Sequence, residues 1–235
     1  MDARTVTEAV EPKARRQRAA ISWSGGKDSC MALYECSRGS DLNIETLLAT
    51  VNRDYGRVSM HGVRLELIER QASSLGLPLQ LVQISANASN EEYERATEEA
   101  VADLKNRGID SLVFGDLFLE DIRSYRISFL SRLGVKPFFP IWKRDTGAML
   151  KNFISLGFKA IVVCVDSASL DESYAGRIID DAFVSSLPRG VDPCGENGEF
   201  HTFVFDGPIF RTPIEFEVRE KVVRDRFCYC DLIPC

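Results

Sequence analysis

Short apolar runs of strand length alternate with stretches of helical periodicity over the first 140 residues. The strand-like runs lie at 19–23, 44–51, 79–84 and 111–114. The helical stretches lie at 27–38, 61–75 and 90–105, with a last one passing through Arg126 to 133. An alternation of strands and helices of these lengths is typical of parallel sheets with helices on both faces. The sequence therefore predicts an α/β fold with a Rossmann-like, doubly wound parallel sheet.

The pattern changes beyond Pro140. Two helical stretches and one apolar run follow, at 145–156, 176–187 and 159–165. From Phe200 onward the chain alternates apolar and polar residues in the manner of β-strands. We therefore expect a disordered tail, a first domain and a smaller C-terminal α+β domain, at 1–18, 19–140 and 141–235.

The first apolar run ends in a segment rich in glycine and hydroxyl groups, which we call the phosphate loop: Ser24, Gly25, Gly26, Lys27, Asp28 and Ser29. Helical periodicity resumes at once, so the glycines lie at a strand-to-helix turn. Free backbone N–H groups and the helix dipole favour an anion at such a turn. The glycines allow close backbone approach, the lysine supplies a positive charge and the serines supply hydroxyl donors. The segment is therefore predicted to bind phosphate.

Two common phosphate-binding patterns do not fit this loop. The Walker pattern requires glycine at position 21 and Ser or Thr at position 28, where the chain has Ile21 and Asp28. The dinucleotide pattern fails because the glycines are adjacent and position 30 is Cys30. Asp28 has three interpretations: it orients Lys27, helps to hold Mg²⁺, or caps the helix.

Composition narrows the class of protein. The net charge of -6 argues against a protein that coats nucleic acid or an anionic membrane, and no run approaches a membrane span. Seven scattered cysteines, an odd number, indicate reduced thiols in the cytoplasm rather than a disulfide framework. The first 18 residues contain no apolar segment of a secretory signal, so we expect no export.

A second dense motif occupies 190–204 and contains two glutamates, an asparagine and a histidine within a loop before a strand. The phosphate loop itself resembles the pyrophosphatase loop (PP-loop) of the N-type ATP pyrophosphatases. Together with the 190–204 motif, Gly115-Asp116 and Pro140-Ile141-Trp142, the chain resembles the diphthine-ammonia ligase family within that group.

The resemblance implies an activity. ATP would be split between its α and β phosphates, a carboxylate would be adenylated, and ammonia would displace AMP to form an amide. It implies ATP and Mg²⁺ as cofactors, 19–140 as the ATP-binding domain and 141–235 as the substrate-binding domain. The acceptor is protein-borne diphthine or a small molecule. Cobalamin-related amidation, sulfur transfer to tRNA, and an ATP or AMP sensor without turnover stay open as alternatives, as does a homodimer.

The resemblance also suggests site residues. Lys27, Glu196, Glu199 and His201 are the catalytic candidates. The glutamates would position ammonia, accept its proton or bind metal, or else they satisfy backbone donors in a tight loop. His201 is equally suited to a structural role. The remaining nucleotide and Mg²⁺ candidates are His61, at the start of the helix predicted over 61–75, and Gly115 and Asp116, which follow a strand.

Overall fold

The structure is a computed structural model that describes residues 16–39 and 41–235. Its strands are β1 (Gln17–Ser22), β2 (Leu42–Asn52), β3 (Arg57–Val58), β4 (Leu79–Ile84), β5 (Ser111–Val113), β6 (Lys136–Phe138), β7 (Lys159–Asp166), β8 (Phe200–Asp206), β9 (Phe216–Arg224) and β10 (Phe227–Pro234). Its helices are α1 (Lys27–Ser37), α2 (Leu65–Leu75), α3 (Asn90–Asn106), α4 (Glu120–Arg132), α5 (Thr146–Ser155) and α6 (Asp181–Ser186).

The first sheet is parallel and has β1 at its centre. Its strand order is β4-β2-β1-β5-β6, and β3 adds two antiparallel pairs at the end of β2. Consecutive strands on each side of β1 are joined through helices, as parallel pairing requires. The carboxyl ends of β1, β2 and β5 therefore lie at one edge of the sheet, where ligands bind in folds of this type.

Helices cover both faces of this sheet. Ile21 points into a core that includes α1 and α2, whereas its neighbour Ala20 points into a second core with α3 and α4. Both side chains are fully buried, and burying a side chain such as Ile21 contributes about 1.5–3 kcal/mol. This arrangement is the doubly wound α/β fold that the sequence predicts, so that prediction is confirmed.

The second sheet is antiparallel, with strand order β8-β7-β10-β9. Val162 and Phe203 of this sheet belong to the same apolar core as Ile21 and α1. One continuous core therefore joins the first sheet to the C-terminal part of the chain, and β8 runs beside α1. The division into an ATP-binding and a substrate-binding domain stays a prediction.

Two predicted helices start later than expected. The helix predicted over 61–75 begins only at Leu65, because Met60 and Gly62 have φ of 64° and 68°, which a right-handed helix does not allow. Residues 59–62 form a tight turn instead, which we call the 59–62 turn. The helix predicted over 176–187 is wrong over its first half. Ile178 forms an isolated bridge to Ile161, and Asp180 caps α6 by accepting a hydrogen bond from the Phe183 N–H at 2.7 Å.

The start of the first domain also differs from the expectation. The tail predicted over 1–18 lies outside the described residues up to position 15, but Gln17 and Arg18 already belong to β1. Gln17 pairs with Leu42 of β2. The polar residues Arg16, Gln17 and Arg18 conceal the beginning of this strand in the sequence.

Candidate active site

The phosphate loop joins β1 to α1 as predicted. Gly25 has φ of 76°, and a Cβ atom there would lie 2.6 Å from Ile68 Cδ1. A Cβ atom at Gly26 would lie 2.8 Å from His61 Cε1. Other residues are therefore excluded from both positions. Gly26 is the N-cap of α1 and has no side chain to cap the helix, so the N–H groups of the first turn, apart from that of Lys27 which Thr202 accepts, can face an anion.

The loop is held from the second sheet and from α2. Thr202 Oγ1 accepts a 3.0 Å hydrogen bond from the Lys27 N–H, and the Val204 N–H donates to Gly25 O at 2.9 Å. Gln71 Nε2 donates to the same Gly25 oxygen at 3.0 Å, while Trp23 Nε1 donates to Gln71 Oε1 at 2.9 Å. Gln71 and Thr202 are therefore supports of the phosphate loop that sequence reasoning missed. The only signal for Gln71 was a polar residue within the apolar stripe of its helix.

The two serines of the loop lie side by side. Ser29 Oγ donates to Gly26 O at 2.9 Å, and Ser24 Oγ accepts from the Gly26 N–H at 3.2 Å. The two hydroxyl oxygens are 3.3 Å apart. Both hydroxyl groups therefore lie at the N-terminus of α1, as the sequence predicts.

Lys27 is buried, with 2% of its surface exposed, and its Nζ lies 2.8 Å from Asp28 Oδ2. Burial alone lowers the pKa of Lys27, but the charges of Asp28 and Glu196 contribute to a net rise, so the ammonium stays charged. Burial raises the pKa of Asp28 against the opposing effect of Lys27. Asp28 Oδ1 is buried and finds no hydrogen-bond partner among the described residues. Asp28 lies inside the first turn of α1, so it orients Lys27 and is not the helix cap.

Gly115 brings the end of β5 against the start of α1. A Cβ atom at Gly115 would lie 2.7 Å from the carbonyl carbon of Asp28, so only glycine fits. The following residue, Asp116, accepts a hydrogen bond from Arg126 Nη2 at 3.1 Å, and Arg126 Nε lies 2.8 Å from its other oxygen. Burial raises the pKa of Asp116 despite this arginine. Asp116 is thus placed beside the phosphate loop but already carries a cationic partner.

The two glutamates of the 190–204 motif have different roles. Glu199 is 5% exposed, and its carboxylate accepts from the Asp192 N–H at 2.9 Å and from the Asn197 N–H at 3.0 Å. Glu199 therefore organises the loop, and Asn197 adds a side-chain bond to it at 3.1 Å. Glu196 accepts a 2.8 Å bond from the Leu117 N–H. Burial raises the pKa of Glu196 to about 7, and the charges of Asp28 and Asp116 add to this rise.

The two histidines stack beside the phosphate loop. The rings of His61 and His201 are 4.7 Å apart, and His61 Nδ1 lies 3.1 Å from Thr202 O. Burial lowers the pKa of His61 to about 3 and that of His201 to about 4, so both are neutral at pH 7. His201 Nε2 is buried, and no group in the part of the chain that the structure describes forms a hydrogen bond with it. His61 belongs to the 59–62 turn and contacts the loop, whereas the sequence predicted a helix start there.

The cysteines offer no reactive pair. Across the described part of the chain, which holds all seven, no disulfide forms, and every thiol except that of Cys235 is buried. Cys194 lies near Lys27, but burial raises its pKa and its Sγ donates to Thr146 O at 3.2 Å.

Within residues 16–39 and 41–235, no group of three or more His, Cys, Asp or Glu side chains is arranged to hold a metal ion. No described helix combines the length and the apolar character that crossing a membrane demands.

The arginines of α4 differ in position. Arg126 belongs to the site through Asp116, and its guanidinium lies 4.2 Å from the Phe114 ring centre. Arg123 stacks on Phe139 and Trp142. Arg132 instead forms an ion pair with Glu94 at 2.9 Å, and its side chain is 59% exposed. The structure therefore brings one of these arginines to the phosphate loop and leaves Arg132 outside it.

The doubly wound sheet and the glycine-rich loop at the start of α1 define the class: a nucleotide-binding protein with the PP-loop ATP pyrophosphatase fold. Comparison with known families identifies the family within this class. The diphthamide synthase N-terminal domain matches residues 17–137, and the diphthamide synthase C-terminal domain matches residues 145–233. The chain belongs to the diphthamide synthase family.

Curated relatives agree with this assignment. The chain is similar to the diphthine–ammonia ligase of Danio rerio, with 27% identity over 221 residues that cover 85% of this chain and 86% of the relative. It is similar to the Homo sapiens protein of the same name, with 26% identity and coverage of 88% and 85%. A third relative, from Schizosaccharomyces pombe, is 25% identical, and the match covers 90% of this chain and 38% of that longer protein. The chain is an ATP-dependent ligase, and the family predicted from its motifs is confirmed.

Proposed function

We propose that this protein is an AMP-forming carbon–nitrogen ligase. A carboxylate oxygen of the acceptor attacks the α-phosphate of ATP, which forms an acyl adenylate and releases pyrophosphate. Ammonia then attacks the acyl carbon, and AMP leaves as the amide forms. The observation that carries this proposal is the glycine N-cap at the start of α1, together with the buried Lys27 charge held by Asp28 and the Glu196 carboxyl, whose pKa burial raises to about 7.

The phosphate loop would hold the β and γ phosphates of ATP. Gly25 and Gly26 let the loop backbone pack closely against Ile68 and His61. The N-terminal dipole of α1 favours the charge of the phosphates. Lys27 stays charged and is fixed by Asp28 2.8 Å away, so it can stabilise the leaving pyrophosphate. Ser24 and Ser29 add hydroxyl donors. His61, packed against Gly26, would limit the space beside the phosphates.

The site fits Mg²⁺ in the manner in which ATP-using enzymes bind it. Mg²⁺ usually takes one or two carboxylates and completes its coordination with phosphate oxygens and water. The unpartnered oxygen of Asp28 is the carboxylate atom that fits this role. Asp116 is a second candidate, but it would have to share its carboxylate with Arg126. Mg²⁺ bound here would offset the negative charge of the phosphates.

Glu196 is the proposed general base. With a pKa of about 7, its carboxylate can take the proton that ammonium must lose before nitrogen attacks the adenylate. Its position near Lys27 and Asp28 is supported by the mutual effects of these groups on their pKa values. We assign Glu199 to holding the loop, and His201, with a neutral ring and a free Nε2, to contacting ammonia or the acceptor.

The relatives are named for diphthine and ammonia, so a carboxylate carried by a protein side chain is the first acceptor to test. A small carboxylate, including a cobalamin-related one, is the second acceptor to test.

We assign the acceptor side of the site to residues 141–235 because the 190–204 motif comes from that part of the chain. The lack of a disulfide among the described residues is compatible with a reducing cytoplasm, which we propose as the location. A homodimer stays a prediction.

Product analysis tests this proposal. The enzyme is incubated with ATP, ammonium and candidate carboxylates, first a diphthine-bearing protein, and the nucleotide products are separated. The proposal expects AMP and pyrophosphate, released only when an acceptor is present. Release of ADP and phosphate would contradict the AMP-forming step. Nucleotide binding with no turnover for any acceptor would favour a sensor.

Sulfur transfer is disfavoured because burial raises the pKa of Cys194, the thiol beside Lys27.

A further inference from the structure

A cavity of about 370 Å³ lies apart from the phosphate loop, between the first sheet and the β9–β10 hairpin. One wall consists of Asn52 at the end of β2, the 59–62 turn, and the segment that follows β4. The opposite wall consists of Val222, Arg224 and Tyr229 of the hairpin. Pockets of this size that join two parts of a fold commonly bind small molecules.

The 59–62 turn separates this cavity from the phosphate loop. Met60 and Gly62 line the cavity, whereas His61 between them contacts Gly26 and Thr202 on the other side. Met60 adopts φ of 64° although it is not glycine, and its side chain is 62% exposed. Left-handed conformations of such residues persist where the surrounding structure enforces them. The cavity is therefore a distinct site that shares one wall with the candidate active site.

The walls of the cavity are already fixed. Arg57, which lines the cavity, and Arg64, which lies outside the lining, both pair with Asp231 of the hairpin, at 2.9 and 2.6 Å. The Asp54 carboxylate accepts from the Ala86 N–H at 2.8 Å, which joins the segments after β2 and β4. Hydrogen bonds and ion pairs of this kind keep a pocket open before a ligand arrives, which reduces the ordering that binding requires.

The chemistry of the lining indicates the ligand. Tyr55 and Tyr229 provide aromatic surfaces, and Val58, Met60 and Val222 provide apolar ones. Arg224 stacks on Tyr55 at 5.5 Å, and its guanidinium forms no ion pair within the part of the chain that the structure describes. The charged residues of the lining are Arg57 and Arg224 against the single carboxylate of Asp231, so the lining carries excess positive charge. Such a site favours an anion with a planar apolar body.

We propose that this cavity binds a small organic anion with an aromatic body, whose carboxylate pairs with Arg224 while its ring packs against Tyr55 and Tyr229. The proposal goes beyond the ligase reaction and does not depend on it.

Three compounds with one ring system and different charges test the proposal: indoleacetate, indoleacetamide and tryptamine. Titration calorimetry on the full chain should give an affinity for indoleacetate at least about tenfold above that for the neutral amide and the cationic amine. Arg224→Gln should lower the affinity for indoleacetate about tenfold and leave the affinity for indoleacetamide unchanged. Arg219→Gln, on the same strand but paired with Glu217, is the matched control and should bind as the original chain does.

Tyr55→Leu should weaken the binding of all three compounds to a similar degree, since the substitution removes an aromatic surface and no charge. Methyl labelling of methionine locates the binding: the Met60 signal should shift, and those of the buried Met31 and Met149 should not. Each of four results would overturn the proposal. Two concern the original chain: no binding of indoleacetate, or equal affinity for the three compounds. The others are an unshifted Met60 signal and an equal loss of indoleacetate affinity in Arg224→Gln and Arg219→Gln.

Discussion

The backbone N–H of Lys27 donates a 3.0 Å hydrogen bond to Thr202 Oγ1, although the two residues lie 175 positions apart in the chain. This bond joins the first residue of α1 to β8 of the second sheet. The side chain of Lys27 thereby receives a fixed direction toward Asp28 and Glu196. The C-terminal part of the chain thus positions the phosphate loop as well as contributing the 190–204 motif.

Thr202→Val tests this connection. It preserves the shape of the side chain but leaves the Lys27 N–H without its acceptor, which should cost about 1–3 kcal/mol of unfolding free energy. The Michaelis constant for ATP should rise because the start of α1 is no longer held. Thr202→Ser retains the hydroxyl group and is the matched control. Urea unfolding and ATP kinetics check both variants, and identical behaviour of the two would contradict the role of the bond.

Glu196→Gln tests the general base. Because burial raises the pKa of Glu196 to about 7, its carboxylate is protonated at pH 6 and ionised at pH 8. At a saturating concentration of ammonium, the rate should therefore rise about tenfold over this range in the original enzyme. The glutamine variant should be slower and should lose this dependence. A variant that keeps the same pH profile would show that another group titrates.

The two histidines should not contribute to that profile. Burial lowers the pKa of His61 to about 3 and that of His201 to about 4, so neither changes charge between pH 6 and 8. A folded state that disfavours the charged imidazole loses stability as the pH falls toward these values. Proton NMR titration of the imidazole signals checks this directly, and a midpoint near 6.5 for either ring would contradict it.

Gly115→Ala tests the contact between β5 and α1. The added methyl group would lie 2.7 Å from the backbone of Asp28, so the two segments must separate, at a cost of about 1–3 kcal/mol. Gly147→Ala is the matched control, because the nearest atom to its Cβ is 3.4 Å away and α5 favours alanine there. Urea unfolding compares the two, and equal midpoints would show that the contact is loose.

Much of this fold follows from local pattern. The runs at 44–51 and 79–84 alternate or cluster apolar residues as strands do, and β2 and β4 occupy them. The segment at 136–138 escaped detection because Lys136, Pro137 and Phe138 make a run too short to show periodicity. The helix predicted over 61–75 includes the last two residues of the 59–62 turn, because the helical stripe of α2 continues backward to Val63. Its left-handed residues become evident only from the backbone.

The candidate site was predictable where a single segment supplies the chemistry. The phosphate loop is one such segment, and its glycines are required at the positions expected. Residues that act across the chain were harder to assign. Glu199 and Glu196 are equivalent in sequence, and only the folded loop reveals that the first binds backbone N–H groups while the second lies near Lys27. Gln71 carries no local signal for its bond to Gly25.

The central claim is that an acceptor carboxylate is adenylated on this phosphate loop. The most direct measurement uses an acceptor whose carboxylate oxygens are labelled with oxygen-18, with ATP and ammonium, followed by mass spectrometry of the products. The account predicts one labelled oxygen in AMP, because the carboxylate oxygen bonded to the α-phosphate leaves with it. Label in inorganic phosphate, or unlabelled AMP accompanying amide formation, would contradict the account.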